Sequence, residues 1–175
     1  MDGNSIYEVF DENIACDIRL NDALEHNLVV PFHYFGISDI ESIDYENIDL
    51  SKIDELAKLL NVNKRAEFII EQMNFYSHIG NKRKVIGFCV SKEHASFMSE
   101  KFNENKINSI SLTSVDSIEK REEYIKKLED ENDSLEVIFT VDIFNEGVDI
   151  PSINTVLFLR PTNSPIVFVQ QLGRG

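Results

Sequence analysis

The strongest constraint on the fold is an alternation of short apolar runs and amphipathic segments in the second half of the chain. Four apolar runs have the length of β-strands, and they cover residues 85–90, 109–112, 135–141 and 155–159. The segments between the first three runs place apolar residues three and four apart, which is the period of a helix that buries one face. Strands that alternate with helices in this way form parallel sheets. We therefore predict an α/β fold in which crossover helices cover a parallel sheet.

Local signals place the helices of this half. Residues 92–105 form an amphipathic segment behind Ser91, a residue type whose hydroxyl caps helix starts. A second segment opens at Ser117, and residues 164–175 begin a third. The first half of the chain is less regular: we predict a short helix over 20–27, an extended aromatic-rich strand over 27–37 and two helices that separate near 61–63. This smaller, mainly helical and extended part is expected to pack against the sheet.

The distribution of charge changes between the less regular first half and the second half of the chain. The chain has 17 Lys and Arg against 31 Asp and Glu, a net charge of −14. Residues 1–79 hold 5 basic and 16 acidic side chains, whereas residues 80–175 hold 12 and 15. The change falls just before the basic triplet Lys82, Arg83 and Lys84, which is either a phosphate contact or a solvated charged run. We predict a connector and helical appendage over 1–80 and a sheet domain over 81–175.

Several function classes are disfavoured by the same sequence. Cys16 and Cys89 lie far apart and form no C-x-x-C pair, so neither a disulfide framework nor a zinc ribbon is supported. The four histidines share no ligand spacing, and we predict no metal site. No uncharged run reaches the length of a membrane helix, and the chain opens without a basic-then-apolar leader. A reduced, cytoplasmic compartment is the expectation.

Two polar clusters flank the last predicted strand. The loop VDIFNEGVDIP contains Asp142, Gly147 and Asp149, and loops of this kind bind ligands at the strand ends of open parallel sheets. An acidic turn that caps a helix explains the same residues equally well. The second cluster, QQLGRG, ends near Arg174, whose planar fork of donors suits phosphate, although a solvated surface arginine explains an isolated G-R-G. We expect both clusters at one edge of the sheet.

Together these clusters resemble the fifth and sixth motifs of superfamily-two helicases and translocases. VIGFCVSKEHASFMSEKF is similar to their fourth-motif region, so the resemblance covers the second RecA-like domain. LNDALEHNLVVPFHYFGISD, with NEGVDIP and RPTNSP, is similar more narrowly to bacterial helicases related to type III restriction subunits and to excision-repair helicases. The resemblance implies a RecA-like three-layer parallel sheet, cut within the sixth motif, and a chain that is part of a larger ATPase.

The resemblance also implies roles for individual residues. It makes Arg174 the arginine finger that approaches the γ-phosphate. The positions that it places near ATP are Gly147, Asp149, Gln170 and Gln171. The positions that it places on the nucleic-acid backbone are Ser91, Thr113, Ser114 and Asp142. The sequence departs from the family at Val141, where many RNA helicases have threonine, and at Glu146, where they have arginine.

The implied function is that of the C-terminal motor domain of an ATP-dependent helicase or translocase acting on nucleic acid, with DNA favoured over RNA. No G-x-x-x-x-G-K-[ST] loop is present, so ATP and Mg²⁺ are expected mainly on a first RecA-like domain of the same polypeptide. We predict that the chain alone is inactive and binds nucleic acid weakly. A non-catalytic nucleotide- or protein-binding module of RecA-like fold stays open as the alternative. A small-molecule nucleotide enzyme is disfavoured, because no Gly-rich strand-to-helix loop is present.

Overall fold

The computed structural model describes residues 25–26, 33–40, 52–76, 82–141, 150 and 152–160, and the chain forms two compact units, 1–38 and 39–175. In the first unit, the rings of His33 and Phe35 stack with their centroids 6.4 Å apart. Residues 33–37 are not part of a strand, so the strand predicted over 27–37 is wrong for this stretch. Aromatic residues favour strands only where a neighbouring strand pairs with their backbone. Residues 27–32, and most of the helix predicted over 20–27, lie outside the described residues.

The second unit contains four described helices and four described strands. In chain order they are α1 (Ile53–Leu60), α2 (Asn63–Phe75), β1 (Val85–Phe88), α3 (Lys92–Glu104), β2 (Ser109–Leu112), α4 (Ile118–Glu129), β3 (Val137–Thr140) and β4 (Thr155–Phe158). The strands form one parallel sheet in the order β2-β3-β1-β4. Val85 in β1 lies level with Val137 in β3 and Thr155 in β4. The predicted parallel α/β fold is confirmed.

Serine hydroxyls cap the N-terminal ends of the two crossover helices. Ser91 Oγ accepts the His94 backbone N–H at 3.1 Å, and Ser117 Oγ accepts that of Lys120 at 3.2 Å. The N-cap expected at Ser91 is therefore confirmed. Three strands are shorter than their apolar runs, because buried residues such as Cys89 and Val90 continue past β1 into the turn before α3.

The core occupies both faces of the sheet. On one face, β1 and β3 pack against α2 and α3, and the rings of Phe102 and Phe139 meet edge to face at 4.8 Å. The other face packs against α4 through Leu128. A Cβ on Gly87 would lie 2.5 Å from the Phe139 ring, so this strand position requires glycine. The helices α1 and α2 share the unit of the sheet, as expected, while the domain boundary near residue 80 stays a prediction.

The basic triplet lies at the amino edge of the sheet and is held by internal bonds. Lys82 Nζ donates to the carbonyl oxygens of Lys127, Leu128 and Asp130 at 2.9, 3.1 and 2.8 Å, so it caps the end of α4. Burial lowers the pKa of Lys82.

The other two members of the triplet form ion pairs. Arg83 Nε donates to Glu136 Oε2 at 2.8 Å, and Lys84 Nζ lies 2.6 Å from Glu131 Oε1. The triplet therefore supports the fold, and it is neither a solvated run nor an open phosphate contact. Among the described helices, none has both the length and the apolar character needed to cross a bilayer.

Candidate functional site

The carboxyl ends of the strands carry the predicted site residues that the structure describes. Ser91 follows β1, and Thr113 and Ser114 follow β2, so all three lie at one edge of the sheet. β1 lies between β3 and β4, which are the strands that lead into the two polar clusters. The six predicted site residues outside the described part of the chain are Asp142, Gly147, Asp149, Gln170, Gln171 and Arg174.

Ser91 is enclosed by the first turn of α3. Its hydroxyl oxygen accepts the His94 backbone N–H, and the side chain is 8% exposed. The pKa of Glu93 is lowered by its own backbone N–H and by the nearby Ser91 hydroxyl. The Ser91 hydroxyl oxygen is therefore already used to cap the start of α3.

The turn after β2 is held in a similar way by the start of α4. The Thr113 backbone N–H donates to Asp116 Oδ2 at 2.8 Å, and the Thr113 hydroxyl lies 3.4 Å from the same oxygen. Lys120 Nζ donates to Asp116 Oδ1 at 2.6 Å and is the largest cause of the lowered pKa of Asp116. Arg121 Nη2 donates to the Ser114 carbonyl oxygen at 3.0 Å. Ser114 is the exposed member of the predicted pair, whereas Thr113 is buried.

A buried polar network lies behind the Ser91 turn, and the sequence patterns did not predict it. Arg65 Nε donates to Asp39 Oδ2 at 2.7 Å, and its Nη1 lies 3.5 Å from Nε2 of the fully buried His94. Burial, with the positive charge of Arg65 as the second cause, lowers the pKa of His94 to about 3, so the ring is neutral at physiological pH. The available signal was the position of Arg65, four residues before Ile69 and eight before Met73 on the apolar side of α2.

Two further buried side chains adjoin this edge. Burial raises the pKa of the Cys89 thiol, which makes it a packing residue and not a nucleophile at neutral pH. Thr140 ends β3 and is fully buried, and its hydroxyl has no hydrogen-bond partner in the structure. No group of three or more His, Cys, Asp or Glu that could hold a metal ion occurs among the described residues.

Comparison with known families decides the assignment. The family described as helicase conserved C-terminal domain matches residues 52–175. The chain belongs to this family. Over 97% of its length, this helicase C-terminal domain is 28% identical to "Putative ATP-dependent helicase IRC3" of Saccharomyces cerevisiae and covers 23% of that protein. It is 31% identical to "Putative helicase 22" of Sulfolobus islandicus filamentous virus over 65% of its own length and 19% of the viral protein.

A solved structure shares the fold. It is described as "The fragment structure of a putative HsdR subunit of a type I restriction enzyme from Vibrio vulnificus YJ016" and superposes with a TM-score of 0.55. The identity is 22%, and the match covers 75% of this helicase C-terminal domain and 26% of that chain. The structure thus supports the RecA-like fold, and the family match over residues 52–175 confirms the resemblance to the C-terminal domain of helicases. The domain spans about a third or less of the length of the curated relatives it matches.

Proposed function

We propose that this domain is the second motor domain of an ATP-dependent helicase or translocase that acts on nucleic acid in the cytoplasm. The family match over residues 52–175 is the observation that carries the proposal. The position of Ser91 and Thr113 at the carboxyl edge supports it, because this is the edge at which open parallel sheets bind ligands.

We assign the contacts to the nucleotide to the two polar clusters, VDIFNEGVDIP and QQLGRG, which precede and follow β4 in the sequence. We assign ATP contacts to Gly147, Asp149, Gln170 and Gln171. Arg174 is assigned as the arginine finger, since a guanidinium beside the γ-phosphate stabilises the charge that develops during phosphoryl transfer. ATP with Mg²⁺ is assigned mainly to a first RecA-like domain of the same polypeptide, because this sequence contains no phosphate-binding G-x-x-x-x-G-K-[ST] loop.

Backbone recognition is assigned to hydroxyls and amides at the carboxyl edge. The residues are Ser91, Thr113, Ser114 and Asp142. The Thr113 backbone N–H now donates to Asp116, so strand binding at this amide has to exchange a carboxylate for a phosphate. We favour DNA over RNA on the narrower resemblance to restriction and excision-repair helicases.

The decisive test is the ATPase rate of the full-length protein that contains this chain, measured with matched single- and double-stranded DNA and RNA. We expect nucleic acid to stimulate turnover, and we expect Arg174→Ala to lower the stimulated rate by about 10³-fold or more while strand binding persists. Lys58→Ala is the matched control, because it removes one positive charge from the exposed side of α1. Unchanged turnover in Arg174→Ala would remove the finger assignment.

The same assay separates the alternative, a non-catalytic nucleotide- or protein-binding module. Such a module would give no turnover with any of the four nucleic acids. The 175-residue chain alone is expected to show no turnover and only weak, salt-sensitive strand binding, because its net charge of −14 opposes contact with phosphates. Stimulated turnover by the chain alone would contradict the assignment of ATP to another domain.

A further inference from the structure

The guanidinium of Arg65 reaches three separate parts of the second unit. The residue is 5% exposed, and its Nε donates to Asp39 Oδ2 at 2.7 Å. Nη1 lies 3.5 Å from His94 Nε2, and Nη2 lies 3.5 Å from the Leu159 carbonyl oxygen. One side chain of α2 therefore joins the segment before α1, the first turn of α3 and the residue that follows β4.

His94 extends this contact to the Ser91 turn. Its Nδ1 lies 3.4 Å from the Val90 backbone nitrogen, and its own backbone N–H donates to Ser91 Oγ at 3.1 Å. N–H groups thus face both ring nitrogens, and a neutral imidazole has only one nitrogen that accepts. The Val90 amide and Arg65 therefore compete for that nitrogen, so a shift of Arg65 changes how the ring holds the turn.

Leu159 connects the same guanidinium to the sheet. Its backbone N–H donates to the Phe88 carbonyl oxygen at 3.0 Å, while its own carbonyl faces Arg65. Leu159 is thus held between β1 and α2 immediately before the chain continues toward the QQLGRG cluster. The Arg65 guanidinium therefore contacts the residue that follows β4, and that residue is bonded to the last residue of β1.

If the buried Arg65–Asp39 ion pair only stabilised the fold, Arg65 would need no partner besides Asp39. Buried ion pairs are often replaced by apolar residues at no loss of stability, so stability alone does not explain the three contacts of this guanidinium. A guanidinium holds several acceptors at once because its donors lie in one rigid plane, whereas an ammonium on a flexible stem does not. The three contacts of Arg65 use this geometry.

We propose that Arg65 is a positioning residue that holds the Ser91 turn and the end of β4 in a fixed relation, and so couples the strand contact to the nucleotide contacts that follow β4. The inference rests on the proposed function, which supplies the ligand at each end. Arg65 touches neither ligand and acts through His94 and Leu159.

The test compares Arg65→Lys with Arg83→Lys in the full-length protein. Both changes keep the charge and remove a guanidinium fork from an ion pair, but Arg83 pairs with Glu136 at the opposite edge of the sheet. The readout is the ratio of stimulated to unstimulated ATPase, with the strand concentration that gives half of the stimulation. We expect Arg65→Lys to lower the ratio by ~10-fold, within the range of measured coupling effects, and Arg83→Lys to leave it unchanged. Equal losses in both variants, or none in Arg65→Lys, would overturn the inference.

Hydrogen exchange of the same proteins separates this inference from the proposed function. In Arg65→Lys, the amides of Val90, His94 and Leu159 are expected to exchange ~10-fold faster than in the wild type, while those of Arg83→Lys do not. A wild-type protein without nucleic-acid-stimulated turnover would refute the proposed function only. Exchange at these amides that is unchanged in Arg65→Lys would refute the positioning role, whatever the ATPase result.

Discussion

The two edges of the sheet use charge in opposite ways. At the amino edge, the basic triplet of Lys82, Arg83 and Lys84 is bound to backbone carbonyls and to two glutamates. At the carboxyl edge, the residues assigned to ligands are small hydroxyl side chains, Ser91 and Thr113, and the carboxylates of Glu93 and Asp116 lie near them. The run of basic residues therefore lies at the edge opposite the one that we assign to strand binding, where polar residues directly follow the strands.

The edges also differ in how deeply their ion pairs are buried. The side chains of Arg65 and Asp39 are 7% and 19% exposed, whereas Glu131, the partner of Lys84, is 52% exposed. Water compensates for a lost partner at the amino edge and does so far less behind the Ser91 turn. The carboxyl edge should respond more strongly to substitution, and four predictions test this difference.

The largest expected effect is on stability, from Arg65→Met compared with Arg83→Met. Removal of Arg65 leaves Asp39 charged and mostly buried, which should lower the free energy of unfolding by about 3 kcal/mol. The Arg83–Glu136 pair is partly exposed, and its loss should cost about 1 kcal/mol. Urea unfolding of both variants measures the difference. Equal losses would show that the two edges do not differ in this respect.

The second prediction concerns pH and His94. The folded pKa of about 3 lies below the ordinary value of 6.5, so the unfolded chain binds a proton that the folded chain excludes. Stability contributed by neutral His94 is complete above pH 6.5 and falls as the pH drops toward 3, by up to about 1.4 kcal/mol per pH unit. His94→Asn keeps a hydrogen-bonding group and removes the titration. Between pH 7.5 and 5.5 its stability should fall by about 1 kcal/mol less than that of the wild type, and parallel curves would contradict the prediction.

The third prediction is a gain in stability from Thr140→Val. The Thr140 hydroxyl is buried without a partner, and valine has nearly the same shape, so the free energy of unfolding should rise by about 1 kcal/mol. Thr155→Val is the control, since the Thr155 hydroxyl lies 3.3 Å from Asn154 Oδ1 and is exposed. Thermal unfolding distinguishes the two variants. A loss of stability in Thr140→Val would mean that its hydroxyl has a polar role at this edge.

The smallest expected effect is on strand binding, from Glu93→Gln. The change removes a negative charge beside Ser91, so binding of a labelled single strand to the full-length protein should tighten by about 2-fold at low salt. Glu104→Gln makes the same change at the other end of α3, roughly 16 Å away along the helix axis, and should have no effect. Fluorescence anisotropy measures both. Equal tightening in the two variants would indicate a general charge effect and not a contact at Ser91.

Local signals predicted the frame of this fold well. The period of the apolar residues predicted the crossover helices and the parallel sheet, and Ser91 was predicted as a cap because capping depends on residues three apart. The strand ends were placed too far along the chain, because apolar residues in a buried turn look like a continued strand. The strand prediction over residues 33–37 was wrong for a related reason, since composition does not reveal whether a neighbouring strand is available.

The contacts behind the site join residues that are far apart in the sequence. Asp39 lies 26 residues before Arg65, and His94 lies 29 residues after it, so no periodicity relates the three residues. The basic triplet was left between two interpretations for a similar reason, because the carbonyl acceptors of Lys82 are 45 or more residues away. The roles of Arg174 and its neighbours remain predictions that come from family resemblance.

Asn103, near the end of α3, hydrogen-bonds to the outer strand of the sheet. Its carboxamide accepts the Ser109 backbone N–H at 3.0 Å and donates to the Ser109 carbonyl oxygen at 2.9 Å. β2 is an outer strand of the described sheet, and such strands invite a second chain to add its own backbone. The side chain offers Ser109 the donor and acceptor that an incoming strand would offer, so the backbone groups of the first residue of β2 are already occupied.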